Sequence, residues 1–420
     1  MKKLHVLMVS EYFPPHAMGG GELSAQALAK ALTKRGTRVS VLTSFFDGDQ
    51  LEESTDGMKV YRRLRTSQDA GSLQGNLGRL AFDGSIQKEL PRLADEIKPD
   101  LVHAMNITSM PGVARALRRL RLPAIAHINS PVAFCPKGTL LDRGKERTAP
   151  YTFWSFVRSF ISSDDIGRSK NAWYLRLNPL AWVVLYRRWA AIRDSFPAFT
   201  HFFPISAAMQ DWLVTYGVPP ARTTVVHNLV FMAGFAREKP ARNRVPRIIY
   251  LGGYARFKGL HIVLAALQGI EEPYILDCYG NGDDKVALQQ QAALNGINAQ
   301  FFDELPARDL PTVLAQHDLL VFPSQVPEGL GRVAIEAMVA GKPVIASDIG
   351  GIRDTVVHGS TGMLVRPDDV DAWRDAIRSL LVDARKRGAL GRAGKQRAFQ
   401  DFAEDGIVAK ALAAYRKVLA

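Results

Sequence analysis

The sequence predicts an α/β protein of two facing, Rossmann-like, doubly wound domains with a cleft between them. Three observations carry that prediction. Short apolar runs alternate with stretches of helical periodicity in both halves of the chain. The first such run, LHVLMVS (4–10), opens into a loop rich in Pro and Gly rather than into a hairpin turn. The alternation lapses once, over 231–246, and then restarts. A chain of 420 residues has room for two domains of about 200 residues.

Taken in order, LHVLMVS is a first strand and EYFPPHAMGGGE a loop. ELSAQALAKALTKRG has apolar positions at helical spacing and is closed by Gly36, and VSVLTS (39–44) is a second strand. That unit is βαβ, with a parallel sheet and a right-handed crossover. DLVHAM (100–105) and PAIAHI (123–128) repeat the pattern around GVARALRRLR, and HFFPIS (201–206) and TTVVHN (223–228) are predicted as the last strands of this half. FMAGFAREKPARNRVP (231–246) lacks periodicity and is the predicted linker, which sets the domains at 1–230 and 231–402. Beyond it RIIYLGG, YILDCYG, LLVFPS and PVIASD read as buried parallel strands, each followed by a glycine-containing loop.

Composition narrows the function classes. With 47% hydrophobic and 23% charged residues, disorder and a collagen-like repeat are excluded. The longest membrane-span candidate, Ser195 to Gln210, is short and broken by Pro197 and Pro204. The start, MKKLHVLMVSEYFPP, reads as a strand rather than a signal peptide, so a cytoplasmic protein is expected. Cys135 and Cys278 stand alone, which fits a reducing compartment and no Cys-based zinc site. Of the net charge of +13, residues 1–230 contribute +11, from 30 Lys and Arg against 19 Asp and Glu. An anionic substrate or an anionic membrane surface explains that excess. No zinc-finger spacing, RNP-like signature or basic zipper occurs, so no nucleic acid partner is expected.

Chemistry concentrates in EGLGRVAIEAM (328–338), where a turn holding Gly329, Leu330 and Gly331 passes into a helix whose free N–H groups suit a diphosphate. Glu328 and Glu336, read as two helical turns apart, about 12 Å along the axis, must contact different parts of a ligand. Lys258 precedes Gly259 at the start of another helix, and the glycines 19–21 follow the first strand. Residue by residue, plainer readings stand beside these: a locally paired helix Glu, a solvated loop cation, a simple turn, a structural strand histidine at His127.

The stretch VFPSQVPEGLGRVAIEAMVAGKPVIASDIGGIRDTVVHGSTGMLVRPDD (321–369), together with GGGE, LGGYARFKG (251–259) and HINSPVAFCPKG (127–138), resembles the retaining nucleotide-sugar glycosyltransferases of the GT-B fold, family 4 (glycosyl transferases group 1). The resemblance implies that Glu328 meets the donor sugar and Glu336 the nucleotide ribose, with Gly20, Gly21, Gly329, Leu330 and Gly331 also binding the donor. It implies that His127 lies beside the reacting sugar and that Lys258 neutralises the leaving diphosphate. Family members carry an Arg directly after the glycine that ends the preceding strand. Here that place is Gly253, and Arg256 is taken as its substitute. The resemblance further implies that the terminal helix, 403–420, crosses back to the first domain. The expected partners are a nucleoside-diphosphate sugar donor and a glycan or lipid-linked oligosaccharide acceptor in surface polysaccharide synthesis, with no cofactor and no metal. A sugar-nucleotide epimerase and a non-catalytic nucleotide-sugar-binding protein are the alternatives.

One segment falls outside that reading. Residues 151–199 interleave Trp154, Phe156, Trp173, Tyr174, Trp182, Tyr186 and Trp189 with Arg158, Arg176, Arg187 and Arg188, and GVARALRRLR adds Arg115, Arg118, Arg119 and Arg121. Aromatic and basic residues together suit a bilayer interface. The protein is then peripheral on the inner face of the cell membrane; otherwise the aromatics fill a core beneath a helical cap.

Overall fold

A computed structural model describes residues 3–16, 19–66, 73–142, 145–147, 149–162, 177–232, 234–235, 238, 241 and 243–420. Two parallel sheets form the frame. In the first, β1 (His5–Val9) lies between β2 (Arg38–Ser44) and β5 (Leu101–Ala104), hydrogen-bonded on both edges. All five of its residues are buried, which is why it reads as a continuous apolar run. The crossover helix α1 (Gly20–Lys34) packs Ala25, Leu28, Ala29 and Leu32 onto the sheet. With β3 at Glu52–Thr55, β4 at Met58–Leu64, β6 at Ala124–Ile128 and β9 at His201–Pro204, the order is β3-β4-β2-β1-β5-β6-β9, while β7 (Leu141–Asp142) and β8 (Lys145–Glu146) pair apart from it as a short antiparallel ribbon. The antiparallel edge pair β3 (Glu52–Thr55) and β4 (Met58–Leu64) was absent from the sequence expectation.

TTVVHN does not form a ladder strand. Thr223 makes a single bridge to Phe202, and Thr224 and Val226 donate backbone bonds to Phe202 and Pro204. Pro204 has no N–H to return, so the pairing does not propagate. Helices α2 (Leu73–Ile97), α3 (Met110–Leu117), α4 (Phe153–Ile161), α5 (Pro179–Asp194) and α6 (Ala207–Thr215) complete this half. The aromatic segment divides. Phe156 and Trp189 are buried, with Trp189 Nε1 donating to the Ala133 carbonyl at 3.1 Å, whereas Trp154 is 74% exposed. Trp173, Tyr174 and Arg176 lie outside the described residues.

The second sheet runs β12-β11-β10-β13-β14-β15, all parallel: β10 is Arg247–Leu251, β11 Ile275–Tyr279, β12 Ala299–Phe302, β13 Leu319–Phe322, β14 Val344–Ser347 and β15 Gly362–Val365. Its flanking helices are α7 (Leu260–Leu267), α8 (Lys285–Leu294), α9 (Leu310–Ala315), α10 (Arg332–Val339), the single turn α11 (Ile352–Thr355), α12 (Val370–Val382) and α13 (Ala384–Asp401). Trp373 on α12 is wholly buried and belongs to the same core as residues of β10 and β13. The final helix, α14 (Glu404–Leu419), lies on the first sheet rather than the second. Ile407, Val408, Ala411, Ala414 and Tyr415 join the core of β1 and α1, and Arg35 on α1 pairs with Glu404 and Asp405.

The sheets meet with their strand carboxyl ends toward each other, where folds of this kind bind ligands. The contact is polar and apolar. Asp354 on α11 accepts from the Ala207 amide at 2.5 Å, and Ile205 and Met209 press on Gly329, where a Cβ would come within 2.9 Å of Ile205 Cδ1.

Candidate active site

Among the described residues, two adjoining cavities lie in the cleft. The smaller, about 280 Å³, is lined by Lys258, Ser324, Glu328, Gly329 and Leu330 of the second domain and by Asn129, Ile205 and Asn228 of the first. The larger, about 580 Å³, is lined by Gly20 and Leu23 of the first domain and by Tyr279, Asn281, Leu305 and Glu336 of the second. Gly252, Gly253, Arg332 and Val333 border both.

Lys258 ends a short 3-10 turn, Arg256–Lys258, and is followed by Gly259 at φ 79°. No other residue is tolerated at 259, because a Cβ there would lie 1.8 Å from the Pro323 carbonyl oxygen. The close approach carries Lys258 beside the end of β13. Its Nζ donates to Glu328 Oε1 at 2.7 Å, and Ser324 Oγ donates to the same oxygen at 2.9 Å. Glu328 is held in turn by its backbone, whose carbonyl accepts from the Gly351 amide at 2.8 Å. The pair is therefore set by two loops that each follow a strand.

Gly331, at φ 77°, turns the chain into α10. The helix begins only at Arg332, so four residues rather than eight of helix separate the turn from Glu336, an axial rise of about 6 Å. The 12 Å helical spacing expected from sequence is thus replaced by an extended Glu328 and a shorter helix. The two carboxylates still face different spaces, Glu328 the smaller cavity and Glu336 the larger. Burial pushes the Glu336 carboxyl up, and the charge of Arg332 pulls it back. The amides of Arg332 and Val333 precede the first intrahelical donor, the Ala334 amide, which bonds the Gly331 carbonyl, and they sit at the junction of the cavities.

Gly20, the first residue of α1, borders the larger cavity, and its carbonyl accepts from Arg332 Nη1 across the cleft at 2.9 Å. Gly21 stands behind it, where a Cβ would lie 3.3 Å from Asn129 Nδ2. Gly329 and Leu330 line the smaller cavity, and Gly331 joins them there.

Two expected residues are not brought to the cleft. Arg256 is exposed on the outer side of its turn and lines neither cavity. The turn that delivers Lys258 inward points the residue two positions earlier away. His127 lies inside the first domain, with its ring stacked on His103 at 5.5 Å and its edge toward Phe203. Strand alternation on β6 aims its side chain at the α14 layer, where Tyr415 Oη meets His103 Nδ1 at 2.8 Å. Neither His127 nitrogen has a hydrogen-bond partner, and burial pulls its pKa down to about 4. Asn129, just past the strand end, is the residue that reaches the cavity.

Asn129, Asn228, Ser324 and Arg332 are among the site residues that sequence reasoning passed over. For Arg332 a signal existed: a cation in the first turn of a helix opposes the helix dipole and needs another reason to be there. The chain holds two Asp-x-Asp spacings, 47–49 and 369–371, and neither borders the cavities. Asp49 accepts from His16 and from the Phe46 amide, and Asp369 caps α12 while Asp371 pairs with Arg374.

A family model described as Glycosyltransferase Family 4 matches residues 18–231, and one described as Glycosyl transferases group 1 matches residues 234–397. The glycogen synthase of Mycobacterium tuberculosis is 26% identical over 423 residues, covering 95% of this chain and 91% of that protein. Among solved structures, a sucrose-phosphate synthase from Thermosynechococcus elongatus superposes with a TM-score of 0.76 at 19% identity, covering 99% of both chains. Anabaena HepE in complex with UDP-glucose superposes with a TM-score of 0.66 at 20% identity, covering 98% of this chain and 100% of that one.

Proposed function

The chain belongs to glycosyltransferase family 4 and has the GT-B fold, and from that premise we propose that it moves a sugar, with retention of configuration, from a nucleoside diphosphate to a hydroxyl of a growing glycan. The observation that carries the reading is the Lys258–Glu328 pair, 2.7 Å apart, beside the N-terminus of α10 and one cavity away from Glu336. The nucleoside occupies the larger cavity with its ribose on Glu336. The diphosphate lies over the Arg332 and Val333 amides within reach of Lys258. The sugar sits in the smaller cavity against Glu328, facing Asn129 and Asn228.

In the reaction the bond between the sugar's anomeric carbon and the diphosphate oxygen breaks, and its electron pair leaves with the diphosphate. The acceptor hydroxyl attacks the oxocarbenium-like carbon from the same face and passes its proton to the departing oxygen. Lys258 and the helix amides stabilise the charge that develops there, so neither a metal nor a further cofactor is required. The protein's contribution is positioning and fixed charge.

The test is a panel of sugar nucleotides and nucleoside diphosphates screened by thermal unfolding. A bound donor at 100 times its dissociation constant stabilises by about 2.7 kcal/mol. NMR of the product then reads the anomeric configuration. Failure of every member of the panel to stabilise the chain would overturn the reading, and stabilisation without transfer to any hydroxyl acceptor would favour a binding protein.

The first domain supports a lipid-linked oligosaccharide as acceptor, reached at the inner membrane surface during surface polysaccharide synthesis. Trp154 on α4 and Leu180 and Val184 on α5 are exposed, and Arg115, Arg118 and Arg187 rim a groove of about 790 Å³ between α3 and α5. Each basic residue near an anionic bilayer is worth about 1 kcal/mol. Flotation with vesicles should therefore rise with anionic lipid and fall with salt. Association indifferent to both, or none, would leave a soluble glycan as the acceptor. Among the described residues no helix is long and apolar enough to cross a membrane.

A further inference from the structure

The donor reading leaves one place empty: the family's second cation belongs at 253, and this chain has Gly253 there. Arg256, the substitute expected from sequence, faces outward. We infer that Arg332 supplies the second positive charge at the donor diphosphate, relocated from the end of β10 to the first turn of α10, an assignment that rests on the donor reading above.

Four observations carry it. Arg332 and Gly253 border the same two cavities, so a guanidinium on α10 opens onto the same space as a side chain at 253. Arg332 shares the smaller cavity with Lys258. Its position next to the positive end of its own helix is electrostatically adverse, and one carboxylate, Glu336, offsets it here. Finally, it holds donors in reserve. A guanidinium has five N–H groups. Here Nη1 donates to the Gly20 carbonyl at 2.9 Å and Nη2 to Glu336 at 3.2 Å, while the buried Nε has no partner. The two bonds orient the planar fork, the first from the opposite wall and the second from the ribose carboxylate. A diphosphate entering between them meets a cation already aimed.

The relocation is testable because Gly253 can be filled. Its φ is not in the left-handed region, and a Cβ there would meet nothing closer than the Asn281 carbonyl at 3.5 Å. Three variants decide: Arg332→Gln, which keeps a donor for Gly20 but removes the charge, Arg332→Ala, and Arg332→Ala combined with Gly253→Arg. Affinities for uridine and guanosine diphosphates, and for the parent nucleosides, are measured by calorimetry, with kcat and KM for the donor the wild-type chain uses. Arg332→Gln and Arg332→Ala should each weaken diphosphate binding by about tenfold or more, leave nucleoside binding within about twofold, and lower kcat by roughly a hundredfold. The double variant should recover most of the loss. An Arg332→Gln chain with wild-type diphosphate affinity and turnover would overturn the inference and reduce Arg332 to a tie between the domains. So would an equal loss of nucleoside and diphosphate binding, or a double variant no better than Arg332→Ala. If the wild-type chain binds neither diphosphate, the donor reading falls and takes this inference with it.

Discussion

The two walls of the cleft are built on the same plan and equipped differently. Each is the carboxyl edge of a parallel sheet with helix N-termini beside it. The second-domain wall carries charge: Lys258, Glu328, Arg332 and Glu336 stand on two loops and one helix. The first-domain wall offers a backbone carbonyl at Gly20, the amides of Asn129 and Asn228, and apolar Leu23 and Ile205. A leaving diphosphate needs fixed charge at one place, whereas an acceptor needs a shaped, neutral surface that leaves its hydroxyl reactive. The difference between the walls is the division of labour expected for the transfer.

The largest effect should come from removing what holds the neutral wall up. Deleting residues after Phe402 strips Ile407, Val408 and Tyr415 from the core beneath β1. At about 1.5–3 kcal/mol for each large side chain, the loss is comparable with a typical domain stability of about 5–15 kcal/mol. Limited proteolysis of the truncated chain should then cut within 1–230 while 247–400 resists. Uniform resistance would show that the helix is dispensable to the wall it covers.

Next in size is Lys258→Ala on the charged wall, expected to lower turnover by roughly a hundredfold or more, the scale of losing one fixed charge at a developing anion. The fold should survive, since both side chains of the pair are partly exposed and Ser324 still holds Glu328. Turnover within a few-fold of wild type would remove Lys258 from the chemistry and erase the contrast between the walls.

The same contrast explains what was legible in the sequence. Lys258, Glu328 and Glu336 stand in two short stretches, 256–259 and 328–336, next to glycines that only a tight turn explains, so type and local spacing expose them. The neutral wall is assembled from residues whose types are uninformative, such as Asn129 and Asn228, brought together by segments far apart in sequence. His127 was misplaced for a related reason. A strand pattern places a residue near a sheet end but does not say which face it takes when both faces are buried, and β6 is buried throughout. The hairpin of β3 and β4, with Asp56 and Gly57 both at positive φ in its turn, carried a local D-G signal that went unread among charged residues. Helical extent at 328–336 was misjudged because Gly331 permits a sharp entry that periodicity cannot locate.

Glu336→Ala should have a smaller and different consequence than Lys258→Ala. A ribose contact is nearly the same in ground and transition states, so the donor KM should rise about tenfold while kcat changes little. A fall in kcat with KM unchanged would mean that Glu336 acts on the reacting centre, or acts through Arg332, to which it is hydrogen-bonded.

The smallest effect tests whether His127 belongs to the wall or only to its support. Its native pKa of about 4 lies below the ordinary value of 6.5 because burial disfavours the imidazolium. Above pH 6.5 neither state carries its proton, and the neutral ring costs nothing. As pH falls from 6.5 toward 4, the unfolded chain takes up a proton that the native chain refuses, so stability declines across that window, and below about 4 the loss stops growing. At pH 6 the decline due to this one residue is about 1 kcal/mol. His127→Leu, which removes two unpartnered nitrogens from the core, should be close to neutral for stability at pH 8. It should also make the fall between pH 8 and pH 6 shallower by that amount, as read from denaturant midpoints. The remaining slope belongs in part to His103 and His201, which burial also shifts downward. Activity is the sharper arbiter. A folded His127→Leu chain should keep turnover within a few-fold of wild type. A loss approaching that of Lys258→Ala would instead mean that the ring swings out to the donor sugar during the reaction, and that the first-domain wall carries chemistry of its own.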